Sequence, residues 1–217
     1  MTQHKEELWS KNYSVIKGFL DPFEAKKLSD EFRVFSIKQK LSGDPQVPKS
    51  QSEYNYPSFL DILCQRCPEI SAAIGENVLP TCSYARVYKK DAILDRHDDR
   101  DACEISLTVH LDGDQEWPFC IETPDGEEAK VILNPGDAMI YLGCKAEHWR
   151  EKYEGDWYTQ VFLHYVRSNG PCAYAVFDRL KDSQDRNYRE RKKQCGKQEN
   201  SAIDPDGFTI VSKRRVR

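Results

Sequence analysis

From about residue 81 onward the sequence predicts a double-sheet jelly roll, with helices from the preceding residues packed outside it. Three observations predict this mainly β, α+β fold. Short apolar or alternating runs recur at roughly ten-residue intervals, and turn signals break them at Asp112-Gly113-Asp114, Pro124-Asp125-Gly126 and Asn134-Pro135-Gly136-Asp137. Before residue 81 the apolar positions follow helical spacing instead. At 217 residues the chain suits one domain with a real core, expected over 1–176, with 177–217 as a polar basic tail.

Val15-Ile16-Lys17-Gly18-Phe19-Leu20 reads as a short strand, and Asp21-Pro22 as the N-cap and first residue of a helix. Phe23, Ala25, Leu28, Phe32 and Phe35 then mark that helix's apolar stripe. Residues 41–57 are rich in Ser, Gly, Pro, Gln and Asn and read as a long loop able to lie over a site. Phe59 to Ile74 reads as a second amphipathic helix. Strands are expected near 82–88, 93–96, 104–111, 117–122, 128–133, 138–142 and 159–166. Beyond Asp178 apolar residues are sparse, which fits a solvated helix or disorder, with one further strand or docking segment at 206–211.

Composition narrows the setting. No apolar run approaches the ~20 residues needed to span a bilayer, and the polar, charged start shows no secretory leader. A cytoplasmic protein is the simplest expectation. The eight cysteines then read as reduced thiols. Cys64 and Cys67 have CxxC spacing, but no second pair accompanies them to close a zinc site. Net charge is only −4, although Lys and Arg crowd residues 179–217. A basic arm binds phosphates, yet only Tyr188 and Phe208 could stack on bases there, so nucleic acid is not the expected partner.

Five histidines are present: 4, 97, 110, 148 and 164. If the backbone is extended at His97-Asp98-Asp99, the side chains of His97 and Asp99 share a face and Asp98 points away. His148 follows 51 residues later (148 − 97), after several strands. Two imidazoles and a carboxylate on one face of Fe(II) leave three positions for a bidentate oxoacid and O₂. His97, Asp99 and His148 are therefore the expected metal ligands and catalytic residues, with Cys144 nearby as a core thiol.

These residues also carry a family resemblance. Phe19-Leu20-Asp21-Pro22-Phe23-Glu24-Ala25, Tyr84-Ala85-Arg86-Val87-Tyr88, the HxD pair, Asn134-Pro135-Gly136-Asp137-Ala138-Met139-Ile140-Tyr141, Glu147-His148-Trp149-Arg150 and Val161-Phe162-Leu163-His164-Tyr165 follow one another in order. Together they resemble the 2-oxoglutarate/Fe(II) oxygenases of the prolyl 4-hydroxylase-like superfamily, over roughly two-thirds of the chain. The resemblance implies a double-stranded β-helix (jelly roll, cupin-like) core. It also implies oxidative decarboxylation of 2-oxoglutarate with O₂, optionally with ascorbate, coupled to hydroxylation of a prolyl residue or a small molecule.

The sequence departs from that family at one point. The Arg or Lys that it places about ten residues after the distal histidine is replaced by Trp157-Tyr158-Thr159-Gln160. Candidate substitutes for binding the far carboxylate are Arg150, two residues after His148, and Arg86, on the strand before HxD. Arg100, Tyr88, His110 and Gln160 are further candidates. Ser106, Thr108 and His110 share one face of their strand, so that face lines a polar cavity or meets solvent. Arg150 also has a plainer reading, as a surface partner of Glu147 or Glu151. Two rivals remain: a cupin-like dioxygenase that uses no 2-oxoglutarate, and a non-enzymatic module acting through the basic tail. A nucleobase-repair oxygenase fits less well, because only Arg167 lies near the final strand.

Overall fold

The computed structural model describes residues 3–177. The expected tail, with its possible strand at 206–211, lies outside the described residues except for Phe177. In order, the elements are α1 (Gln3–Lys11), β1 (Tyr13–Ile16), α2 (Pro22–Lys38), β2 (Ser50–Tyr54), α3 (Pro57–Gln65), α4 (Cys67–Ile74), β3 (Val78–Lys89), β4 (Leu94–His97), β5 (Ile105–Gly113), β6 (Phe119–Glu122), β7 (Glu128–Val131), β8 (Ala138–Tyr141), β9 (His148–Arg150) and β10 (Trp157–Arg167). Two antiparallel sheets result, ordered β1-β8-β5-β10-β3-β2 and β4-β9-β6-β7. No helix among the described residues is long and apolar enough to cross a membrane.

Alternation decides what each face of the large sheet does. Ile105, Leu107, Val109 and Leu111 of β5, with Val161, Leu163 and Tyr165 of β10, join the core beneath the helices. Leu28 and Phe32 of α2, Phe59 and Leu63 of α3, and Ile70 of α4 complete it. Burying a side chain of this kind contributes about 1.5–3 kcal/mol, more than helix propensity supplies, so packing sets the helix positions. The opposite face of the same strands points between the sheets. There Phe119, Ile121, Met139, Tyr141 and Phe162 pack together, with Val47, Tyr88, Leu94, Trp117, Tyr153 and Tyr158 forming a further apolar group.

Three sequence expectations shift. The strand expected at 15–20 stops at Ile16, because the next segment turns at Gly18, whose φ is +63°, to meet the Asn134–Asp137 turn. Leu20 N–H donates to the Gly136 carbonyl at 2.9 Å, and Gly18 N–H donates to Asp137 Oδ1 at 3.0 Å. Gly136 has φ +87° and packs so closely on the Leu20 carbonyl that no Cβ would fit. The loop expected over 41–57 contains β2, a polar edge strand paired with β3 from Ser50↔Tyr88 to Tyr54↔Tyr84. Backbone pairing, which side-chain alternation does not advertise, builds it. The single helix expected over 59–74 is two, divided at Arg66, because Pro68 in the first turn of α4 supplies no N–H. Asp21 caps α2 as expected, accepting from Phe23 N–H at 2.9 Å, while Phe23 itself faces solvent.

Candidate metal centre and oxoacid pocket

β4 and β9 pair with His97 opposite His148, which brings together two imidazoles 51 residues apart in sequence (148 − 97). Their ring centroids are 4.3 Å apart. Asp99 sits in the turn after β4, fixed by its N–H donating to the Gly143 carbonyl at 2.9 Å. Its Oδ1 lies 3.9 Å from His97 Nε2 and 3.8 Å from His148 Nε2. One ligand atom from each of the three residues thus falls within 4.8 Å of the other two.

The neighbours prepare those atoms for a cation. His97 Nδ1 donates to the Asp95 carbonyl at 2.7 Å and His148 Nδ1 to the Ala146 carbonyl at 2.9 Å. A carbonyl only accepts, so each proton sits on Nδ1 and each Nε2 presents a lone pair. Burial holds the His148 imidazole below its ordinary pKa, against the pull of Asp99, so it is neutral at neutral pH. The second carboxylate oxygen, Asp99 Oδ2, accepts from Ser106 Oγ at 3.0 Å, and Ser106 Oγ lies 2.9 Å from His164 Nδ1. Gly143 is required here: a Cβ would fall 2.5 Å from Asp99 Oδ2 and 2.8 Å from Ser106 Oγ.

Asp99, Cys103 and His164 form a second group of possible ligands. It suits a metal poorly. Contact with Cys82 and complete burial raise the Cys103 thiol well above its ordinary pKa, and a metal needs the thiolate. His164, lowered to about 4 by burial, spends its Nδ1 on Ser106. Cys144 donates from Sγ to the Arg100 carbonyl at 3.2 Å and belongs to neither group. Cys64 and Cys67 also lie outside every such group among the described residues.

Deeper between the sheets sit two buried guanidinium groups, each 1% exposed. Arg150 shares the inward face of β9 with His148, so the surface pairing considered for it is overturned: Glu147 pairs with Arg96, and Glu151 with Lys130. Arg150 Nη1 donates to the Trp117 carbonyl and Nη2 to Gln160 Oε1 at 2.7 Å, while Gln160 Nε2 donates to Thr108 Oγ1 at 3.0 Å. Its guanidinium lies 4.6 Å from the Trp117 ring centroid, 4.9 Å from that of Tyr158 and 5.2 Å from that of Phe119. Among the described residues no carboxylate pairs with it, and its Nε has no partner.

Arg86 differs in this respect. Its Nη2 meets Asp44 Oδ2 at 2.5 Å and Gln46 Oε1 at 3.2 Å, and its Nη1 donates to Tyr88 Oη at 3.3 Å. Arg86 lines the same cavity of about 230 Å³ as the metal triad, together with Asp44, Gln46, Tyr54, Tyr84 and Arg100. His110 stacks on Tyr158 at 4.3 Å and donates from Nδ1 to the Leu133 carbonyl. Its Nε2 is buried without a partner. Of the sequence candidates, Arg150, Gln160, His110 and Tyr88 line the space between the sheets, and Arg86 stands beside them already neutralised. Arg167 is occupied by Glu104 at 2.7 Å.

Sequence reasoning missed Asp44, Gln46 and Gly143. The first two lie in a polar loop with no motif. The only signal for Gly143 was a glycine between a strand end and the distal histidine.

No family model and no curated protein matches the sequence. Solved structures do match. A Pseudomonas putida prolyl-4-hydroxylase superposes with TM-score 0.63 at 17% identity, covering 75% of this chain and 96% of that one. HygX from Streptomyces hygroscopicus, with nickel and 2-oxoglutarate bound, gives TM-score 0.66 at 12% identity, covering 87% and 94%. The viral collagen prolyl hydroxylase of Paramecium Bursaria Chlorella virus-1, as a 2-oxoglutarate complex, gives 0.54 at 17%, covering 71% and 96%. The paired antiparallel sheets with outer helices are thus the double-stranded β-helix fold of the 2-oxoglutarate/Fe(II) oxygenases, in the form seen in prolyl 4-hydroxylases.

Proposed function

We propose that this protein is an Fe(II)- and 2-oxoglutarate-dependent dioxygenase, with His97, Asp99 and His148 as iron ligands and Arg150 as the anchor of the oxoacid. The observation that carries the reading is Arg150, a buried guanidinium with no carboxylate partner among the described residues, on the same strand face as His148. A buried charge with only neutral acceptors is costly, and the distal carboxylate of 2-oxoglutarate would compensate it. A metal dioxygenase that uses no oxoacid would leave Arg150 without a counter-ion. HygX, of the same fold, was seen with nickel and 2-oxoglutarate bound, which supports the choice of co-substrate.

Iron supplies the chelation of the oxoacid and the activation of O₂, with succinate and CO₂ as products. The protein's residues do the rest. Arg150 and Gln160 hold one end of the oxoacid, with Tyr88 and His110 packed around the same aromatic rings, Trp117 and Tyr158. Phe119, Tyr141 and Phe162 keep water from the space between the sheets. The carbonyls of Asp95 and Ala146 keep both imidazoles in the ligating tautomer. The reaction is hydroxylation of a C–H bond in a prolyl residue or a small molecule, in the cytoplasm.

Succinate release from 2-oxoglutarate by the purified protein is the test. Formation that requires Fe(II) and O₂ and vanishes in His148→Ala supports the reading. Metal binding without any 2-oxoglutarate turnover, across a panel of small molecules and prolyl peptides, would reject it.

A further inference from the structure

Arg86 holds neither the proposed iron nor the proposed oxoacid. It is buried, it lines the cavity of the His97–Asp99–His148 cluster, and its Nε has no partner among the described residues. Among the described residues its one carboxylate partner is Asp44, in the loop between α2 and β2, 42 residues away in sequence (86 − 44). Asp44 is 28% exposed, whereas Arg86 is 1% exposed. The carboxylate therefore reaches in from the cavity mouth and covers a fixed cation beneath it. Asp44 is held independently of Arg86 as well, accepting from Val47 N–H at 2.8 Å and from Tyr84 Oη. Val47, fully buried beside Tyr88, Leu94 and Trp117, pegs the loop in place.

The geometry points to Arg86 as the carboxylate-recognition site for the primary substrate, with Asp44 as an internal stand-in that the substrate's own carboxylate displaces. The inference rests on the dioxygenase reading for the ligand's being a substrate and for its reactive C–H; the anion site stands on Arg86 and Asp44 themselves. An exchange of one carboxylate for another leaves Arg86 paired throughout, so its burial never goes uncompensated. Displacing Asp44 also gives up its bonds from Val47 N–H and Tyr84 Oη, and the substrate's apparent affinity is lowered by that amount. The walls indicate the body of the acid. Tyr54 and Tyr84 have ring centroids 4.1 Å apart, and Phe162 stacks on Tyr84 at 6.5 Å with planes 21° apart. Packed on one another, these rings leave no slot between them and form one apolar wall of the cavity, against which a flat, apolar group can lie. The substrate class is thus an organic acid with a ring or flat apolar body, its carboxylate on Arg86 and its reactive C–H toward His97 and His148. The second cation at the cavity, Arg100, donates to Cys82 Sγ at 3.7 Å.

The probes are 3-phenylpropionate and its uncharged amide, titrated calorimetrically into the full chain. Two backgrounds separate this site from the oxoacid anchor: protein loaded with Ni(II) and saturating 2-oxoglutarate, and metal-free Arg150→Gln protein. The acid is expected to bind about tenfold or more tightly than the amide in both backgrounds. Asp44→Asn is expected to tighten the acid by about tenfold, because a competitor is removed. Arg86→Gln should abolish the preference. The double variant Asp44→Asn/Arg86→Gln, which leaves no unpaired buried charge, should fold and bind acid and amide alike. Equal binding of the two probes by protein with Arg86 intact, binding of neither, or a preference that survives Arg86→Gln or the double variant would overturn the proposal. If Ni(II) and 2-oxoglutarate fail to load, the dioxygenase reading fails, and the metal-free background still decides the role of Arg86.

Discussion

Arg150 donates from Nη2 to Gln160 Oε1 at 2.7 Å, and in doing so places a cation from β9 beside the residue that β10 supplies in place of one. Arg150→Gln is expected to raise the KM for 2-oxoglutarate by about a hundredfold or more, since removing one partner of a buried charge pair costs 2–5 kcal/mol. Arg150→Lys should fall between, because a point charge cannot also reach the Trp117 carbonyl. Metal affinity without 2-oxoglutarate should be unchanged in both, as equilibrium dialysis would show.

Asp99 rather than Asp98 faces the imidazoles. Asp99→Ala should abolish Fe(II) binding and Asp98→Ala should largely spare it, measured by metal content after dialysis. Equal losses would contradict the register of the HxD turn.

A Cβ on Gly143 would collide with the Cys103 carbonyl and with the Asp99 carboxylate, so Gly143→Ala must shift both the backbone there and the ligand. Metal affinity is expected to fall about 10–100-fold, the range seen when groups orienting a ligand are altered. Thermal stability of the metal-free protein should fall as well, because the Cys103 backbone must move, and metal affinity is to be compared at a temperature where both proteins are folded.

Asp137 ties the entry segment to β8. Burial raises its pKa, but donation from Lys17 Nζ, at 2.7 Å, and from the backbone N–H groups of Gly18 and Asn134 outweighs this and holds the carboxyl below its ordinary value. A carboxyl with a depressed folded pKa stabilises at pH above its unfolded value of about 4 and loses that contribution as pH falls through the folded value. Asp137→Asn should therefore cost about 1–3 kcal/mol at pH 7. The gap from the unaltered protein should narrow in urea melts taken below pH 4.

The cluster of His97, Asp99 and His148 and the strand alternation were legible in the sequence for physical reasons. Ligand types at fixed spacing and a two-residue period are local properties, and β5 shows both faces of that period in Ile105–Leu111. What stayed hidden depended on distant partners. The strand β2 is polar from Ser50 to Glu53 and exists because β3 offers an unpaired edge. Arg150 could not be placed by sequence, since Glu147 and Glu151 flank it; only the inward face of β9 decides against them. Asp44 matters because Arg86 lies beneath it, and nothing local announces a contact across 42 residues (86 − 44).

The most direct test of the proposed centre is anaerobic titration of Fe(II) and 2-oxoglutarate into the metal-free protein, watching for the weak visible charge-transfer band of the chelate. A band that needs both additions, disappears in His148→Ala and requires far more 2-oxoglutarate in Arg150→Gln is the predicted result. Tight Fe(II) binding with no band at any 2-oxoglutarate concentration would contradict the account.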